Sequence, residues 1–116
     1  MFIEFVKSKI AHGFVTEAEL LYEGSITIDE DLLKAVDMLP GEKVDVLNIN
    51  NGNRFTTYVI AGKAGSGRIC LNGPAARLGL VGDQIIVLSY GFLDQAEARK
   101  YKTKTIHLDK NNKIKN

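Results

Sequence analysis

One cysteine, two histidines and a formal net charge of only +1 remove several functions from consideration at the outset. The lone Cys70 has no partner for an internal disulfide, which points to a reducing cytoplasm. His12, His107 and Cys70 are scattered through the chain and match none of the usual zinc spacings, so no metal is expected. With charge near balance and no stripe of Lys or Arg, there is no electrostatic footprint for nucleic acid. Lys110, Lys113 and Lys115 read as a solvated, frayed tail. No apolar run is long enough to cross a membrane, and the opening Met1–Lys7 segment is too short and interrupted for a signal peptide. Internal repeats, low-complexity linkers and a nucleophile-elbow serine are all missing. The glycine cluster Gly62–Gly67 lacks the Gly-Lys-Ser/Thr ending of a phosphate loop and no long helix follows it.

What is present fits one domain: 116 residues, 45% apolar and 25% charged. Phe2–Val6 alternates as a half-buried strand does. Thr16-Glu17-Ala18-Glu19 has the spacing of a capping box and predicts a helical turn leading to Tyr22. Asp29 is a good N-cap, with Glu30 and Asp31 placed where the helix dipole favours acids. Leu32, Leu33, Val36 and Leu39 follow at helical spacing, up to a stop at Pro40-Gly41. From Lys43 the period becomes two, with Val44, Val46 and Asn48 on one face, and Asn51-Gly52 predicts a tight hairpin into Arg54–Ile60. Arg68–Leu71 and Gln84–Ser89 read as further strands, Asn72-Gly73-Pro74 as the start of a short helix through Arg77. A capping box at Asp94–Glu97 opens a surface helix to about Lys100, and Thr105–Leu108 is a last strand. Many short strands and tight turns predict a mainly β fold, a small closed barrel with short helices.

The most informative stretch is Tyr22-Glu23-Gly24-Ser25-Ile26-Thr27-Ile28-Asp29. A Gly-Ser pair ordinarily marks a turn, but here a β-branched run follows directly, so Ser25 begins a strand. A serine hydroxyl can attack the carbonyl before it and turn the amide into an ester. Glycine at the attacked position offers no side chain to block the approach. Elimination from that ester leaves dehydroalanine, which hydrolyses to a pyruvoyl group on a new N-terminus.

Together with Lys9, the run Asn50-Asn51-Gly52-Asn53-Arg54-Phe55-Thr56-Thr57-Tyr58 and Asn72-Gly73-Pro74-Ala75-Ala76, this stretch resembles the aspartate 1-decarboxylase family. The likeness runs in register from about Lys9 to Tyr90. It implies a double-psi β-barrel, a homotetramer with active sites between neighbouring copies, and decarboxylation of L-aspartate to β-alanine for pantothenate synthesis. It implies a covalent pyruvoyl cofactor made from Ser25 by self-cleavage after Gly24, giving fragments 1–24 and 25–116, with a maturation factor as a potential partner. By the same resemblance, Thr57 polarises the Gly24 carbonyl and later contacts substrate, Tyr58 donates a proton, and Asn72, Gly73, Pro74 and Ala75 bind substrate. Thr57 and Tyr58 alternate in direction along a strand, so a twist or bulge is expected between them.

A physical argument adds Arg54. Only the α-carboxylate of aspartate departs, and a cation gripping it would stabilise the ground state, so the grip belongs on the side-chain carboxylate. Arginine's planar fork suits that task, with Lys9 assisting nearby. The chain departs from the family after Lys9-Ile10, where His-Arg is usual and Ala11-His12-Gly13 stands here. One residue of shift turns a side chain to the other strand face, so a compensating bulge at Gly13 would be needed for His12 to substitute. Two other readings compete: a pyruvoyl decarboxylase for a different amino acid, and a barrel that stays uncut and serves as a binding or assembly module.

Overall fold

The computed structural model describes residues 1–115. Nine strands and two short helices follow in the order β1 (Phe2–Phe14), β2 (Glu17–Glu19), β3 (Ser25–Asp29), α1 (Glu30–Ala35), β4 (Lys43–Asn48), β5 (Arg54–Gly62), β6 (Ile69–Asn72), β7 (Gln84–Asp94), α2 (Gln95–Lys100), β8 (Lys104–Leu108) and β9 (Ile114–Lys115). A 3-10 turn at Gly73–Arg77 separates β6 from β7. The strands form one ribbon in the order β2-β6-β3-β5-β4-β7-β1-β8-β9.

β5 turns that ribbon into a barrel. Its first half pairs antiparallel with β4, ending at Lys43↔Tyr58, and its second half pairs parallel with β3, beginning at Ile26↔Val59. The other seam lies just after β1. The Thr16 N–H and hydroxyl both donate to the Ile69 carbonyl, at 2.8 and 2.9 Å, and the hydroxyl oxygen accepts from the Ile69 N–H at 2.9 Å. These bonds fasten the end of β1 to β6 and close the ring. Inside it, Ile10, Ile26, Ile28, Val44, Val46, Ile69, Leu71, Ile85 and Val87 are buried in one core. Each such aliphatic side chain contributes about 1.5–3 kcal/mol by leaving water.

Most elements follow the alternation of the sequence. Val44, Val46 and Asn48 are buried in β4, and Gly52 takes φ 77° in the hairpin to β5. Asp29 caps α1 through Asp31 N–H, and Asp94 caps α2 through Glu97 N–H. Four expectations need correction. Thr16–Glu19 is no helical turn: β2 is a strand paired with β6, and the Thr16 hydroxyl serves the barrel seam instead of a cap. The opening strand runs beyond Val6 to Phe14, because β7 offers a matching ladder along its whole length. α1 ends at Ala35, with Asp37 at φ 57°, so Leu39 lies outside the helix and is 69% exposed. The C-terminal lysines are not a frayed tail, because β9 pairs with β8 and buried Asn112 binds Phe14 and Gly67 carbonyls at 2.9 and 2.8 Å. Among the described residues no helix is long and apolar enough to cross a membrane.

Candidate active site

Ser25 and Asn72 face each other across the antiparallel β3–β6 pair, and Thr27 faces Cys70 one step along. Residues two apart on a strand share a face, so the four side chains form one block. The residues between them, Ile26 and Leu71, point the other way into the core. All four are buried, at 0%, 6%, 0% and 2% exposure for Ser25, Thr27, Cys70 and Asn72. The Asn72 amide donates to Ser25 Oγ at 3.0 Å and to Thr27 Oγ1 at 2.8 Å. Ser25 Oγ in turn donates to the Glu23 carbonyl at 3.3 Å. Cys70 Sγ lies 3.1 Å from Asn72 Oδ1. Burial pushes the Cys70 thiol up, Glu17 adds to the rise, and Arg68 opposes it, so the sulfur keeps its proton at neutral pH.

Backbone contact fixes the segment before Ser25. Gly73 sits at φ 64°, and a Cβ there would meet Tyr22 O at 2.5 Å and Gly24 N at 2.9 Å. Only glycine lets the 3-10 turn approach the Tyr22–Gly24 backbone so closely. Gly24, Thr57, Tyr58, Pro74 and Ala75 then line one cavity of about 320 Å³, together with Phe55, Thr56 and Leu78. A larger recess of about 810 Å³ opens on the outer side of the block, bordered by Tyr22, Glu23, Thr27, Arg68 and Asn72 among others.

Thr57 and Tyr58 border the same cavity, and of the twist or bulge expected between them no bulge is found. The β4–β5 register is unbroken from Leu47↔Arg54 to Lys43↔Tyr58, and what supplies the turn is the passage of β5 from β4 to β3 at Val59. Continuing the Ile26↔Val59 pairing back by two residues sets Gly24 beside Thr57. Thr57 is half-buried and Tyr58 is 38% exposed.

Arg54 and Lys9 are not part of this cluster within one chain. Arg54 borders a different cavity of about 270 Å³, with Leu47, Asn53 and Ile86. Two strands, β4 and β7, separate it from Lys9, which pairs with Leu88 and Thr105; that is roughly 14 Å of sheet at ~4.8 Å per strand. The expectation that Lys9 lies near Arg54 is therefore not met in the single chain. Beside Arg54's strand, Asp45 accepts from Thr56 Oγ1 at 2.8 Å and from Tyr90 OH at 3.0 Å. Burial first, and Asp45 second, push the Tyr90 phenol up. At the departure from the family pattern, β1 shifts register between Ile10 and Gly13, and the strained residue is His12, at φ 63°. The bulge buries Ala11 and leaves His12 exposed, 6.5 Å from the His107 ring. Among the described residues no group of three His, Cys, Asp or Glu is placed to hold a metal.

Fold and site together define a single β-barrel with one shielded serine at a strand start, bound by an amide and adjoining an unshielded glycine. The chain belongs to the aspartate decarboxylase family, whose model matches residues 1–115. Aspartate 1-decarboxylase of Thermoanaerobacter pseudethanolicus is 59% identical over 108 residues, 93% of this chain and 92% of the relative. The Acetivibrio thermocellus enzyme of the same name is 58% identical over 116 residues, 100% of this chain and 92% of its own. The Leptospira biflexa enzyme is 50% identical, covering 99% and 98%. Among solved structures, the computationally designed msDPBB_sym2 protein overlays with a TM-score of 0.49 at 15% identity, covering 77% of this chain and 99% of the design, a likeness too slight to add to the fold.

Thr27 and Cys70 were not among the residues expected at the site. Their signal was the alternation Ser25/Thr27 and Cys70/Asn72, which becomes meaningful only once β3 is known to pair with β6.

Proposed function

We propose that this chain decarboxylates L-aspartate to β-alanine and carbon dioxide, using a pyruvoyl group formed from its own Ser25. The observation that carries the reading is the buried Ser25 hydroxyl, held by Asn72 and by the Glu23 carbonyl beside a glycine with no Cβ. A hydroxyl so fixed spends little entropy in reaching the adjacent Gly24 carbonyl. Attack forms an ester between Gly24 and Ser25 Oγ as the Ser25 nitrogen leaves the carbonyl and takes a proton. Loss of the Ser25 Cα proton then breaks the Cβ–Oγ bond, leaving Gly24 as a carboxylate and residue 25 as dehydroalanine. Water replaces the nitrogen of dehydroalanine, releasing ammonia.

The pocket fits such a group: it is about 320 Å³, has Gly24 in its wall next to buried Ser25, and carries Thr57 and Tyr58 in its lining. A pyruvoyl group supplies a ketone that takes up the substrate amine and a sink for the electrons of the departing carboxylate. Thr57, set beside Gly24, polarises the carbonyl during cleavage and holds substrate afterwards. Tyr58 gives its phenolic proton to the substrate carbon, and Asn72, Gly73, Pro74 and Ala75 wall the site. Arg54 grips the side-chain carboxylate and Lys9 assists. Their separation from each other in one chain fits an active site shared between copies of a homotetramer. The setting is cytoplasmic, and cleavage to 1–24 and 25–116 proceeds alone or with a maturation partner.

Intact-mass measurement tests the reading. The matured protein should give two fragments, one ending at Gly24 and one starting at a pyruvoyl in place of Ser25. Ser25→Ala should give one uncut chain. A wild-type protein that stays whole after long warm incubation, alone and with cell extract, would remove the pyruvoyl chemistry.

A further inference from the structure

Asn72 stands at the N-cap of the 3-10 turn, a position where asparagine ordinarily accepts a backbone N–H, yet it makes no such bond. Its amide is committed sideways, with NH2 on Ser25 and Thr27 and the carbonyl oxygen toward Cys70. Thr27 does not select that orientation, and Ser25 selects it only through a long bond, its one hydrogen going to the Glu23 carbonyl at 3.3 Å. A hydroxyl can donate or accept, so a flipped amide with Oδ1 toward Ser25 and Thr27 would cost only the long Ser25–Glu23 bond. The thiol is not symmetrical in this way: S–H is a donor, while the sulfur is a poor acceptor for N–H. All four side chains are buried, so a wrong orientation leaves a polar group poorly paired, at a cost.

We propose that Cys70 is a positioning residue for self-cleavage, donating its S–H to Asn72 Oδ1 and so keeping the Asn72 N–H on Ser25 Oγ. The proposal rests on the self-cleavage reading above and deepens it.

The orientation matters most after the first step. Free Ser25 carries a hydrogen that could turn from the Glu23 carbonyl to a flipped Oδ1. The ester oxygen carries none, so Oδ1 opposite it would set lone pair against lone pair. With N–H there instead, the donor stays on Oγ as the Cβ–Oγ bond breaks and negative charge gathers on the leaving Gly24 carboxylate. A donor aimed at developing charge in a closed site lowers the barrier there.

The test replaces Cys70 by valine, alanine and serine, and follows conversion of freshly made precursor to two fragments by intact mass. Valine suits a strand and fills the volume without a donor; alanine removes the donor without branching; serine offers a hydroxyl that donates or accepts. Cleavage should slow about three- to ten-fold in Cys70→Val and Cys70→Ala, the scale of one neutral hydrogen bond. Cys70→Ser should fall between wild type and valine, since its hydroxyl can donate to Oδ1 but also accepts from a flipped amide. Thermal melts of each variant in the uncut Ser25→Ala background check that the fold is intact. A second readout needs no cleavage: Cys70 is the sole thiol, so the Raman S–H stretch of the Ser25→Ala chain should lie at the lowered frequency of a donating thiol and rise when Asn72→Leu is added. Equal cleavage rates in all four chains, or a valine variant as fast as wild type, would overturn the proposal while leaving self-cleavage in place. An S–H band unmoved by Asn72→Leu would overturn it as well. A wild type that never cuts would instead remove the cleavage reading and this role with it.

Discussion

Asp29 closes the strand that begins at Ser25, and replacing it should cost the fold more than any other single polar change. Its Oδ1 accepts from the N–H groups of Asp31 at 2.8 Å and Gly65 at 3.0 Å, and its Oδ2 from Gly67 at 2.8 Å. One carboxylate, 2% exposed, thus caps α1 and latches the Gly65–Gly67 loop to β3. Losing the cap costs ~1 kcal/mol, and each further bond to a charged acceptor contributes ~1.5–3 kcal/mol. Some solvent will fill the gap, so Asp29→Ala should lose roughly 3 kcal/mol, a fall in Tm of about 10–15 °C. Burial works to raise the Asp29 carboxyl, but the N–H donors of Gly67, Asp31 and Gly65 and the charge of Lys113 outweigh it, so it titrates below its ordinary 3.8. The sign follows. A group depressed in the fold adds stability above its unfolded pKa and loses it as pH falls through the folded value. The gap between wild type and Asp29→Asn should therefore be flat above about pH 5 and shrink steadily below the carboxylate range. Urea melts in the Ser25→Ala background, at fixed protein concentration, measure this on an unbroken chain. An Asp29→Ala chain melting within about 2 °C of its parent, or a gap that widens toward acid, would refute the latch.

Three further outcomes bear on the site. Tyr58→Phe keeps the ring and removes the phenol, so cleavage should be normal while turnover falls roughly two to four orders of magnitude; near-normal turnover takes the proton-donor role away from Tyr58. Arg54→Lys keeps the charge but loses the fork, so pyruvoyl formation should persist while the ratio of aspartate to alanine turnover drops, and an unchanged ratio moves the carboxylate grip to Lys9. Gly73→Ala places a Cβ 2.5 Å from the Tyr22 carbonyl at a positive φ; it should destabilise by roughly 2 kcal/mol and slow fragment formation, and a variant that cuts at the parent rate would show that this close approach is dispensable.

Local chemistry made the elements legible. Alternation at Val44, Val46 and Asn48, the Asn51-Gly52 hairpin and the Asp29 and Asp94 caps each depend on a few neighbouring residues, and all are found as read. Long-range partners decided the rest. Thr16–Glu19 carries a genuine capping-box spacing, but Ile69, 53 residues on, claims the Thr16 hydroxyl. The C-terminal lysines are exposed, as read, but the tail looked frayed because nothing near them in sequence says that Asn112 reaches Phe14 and Gly67. In the site, Ser25 and Gly24 were visible as a pair. That Cys70 and Thr27 complete the block depends on β3 meeting β6 across more than forty residues. The twist or bulge expected near Tyr58 was argued from strand alternation alone, which does not show that β5 changes partners at Val59.

The long ladder of β1 bears on what a break after Gly24 would do to the molecule as a whole. β1 lies entirely before the break, yet it pairs with β7 from Phe2↔Asp94 to Phe14↔Gln84 and with β8 from Ser8↔Lys104 to Ala11↔His107, while Ile10 and Val15 sit in the core. The short piece therefore stays where it is, as an internal stave held by the wall it helps to form. Once unfolded, however, the two pieces would have to find each other by diffusion. A reaction within one chain would become an encounter between two, whose recovery depends on dilution. Maturation would then be a one-way event in folding as well as in chemistry, with the barrel assembled once, as an intact chain, before the serine acts.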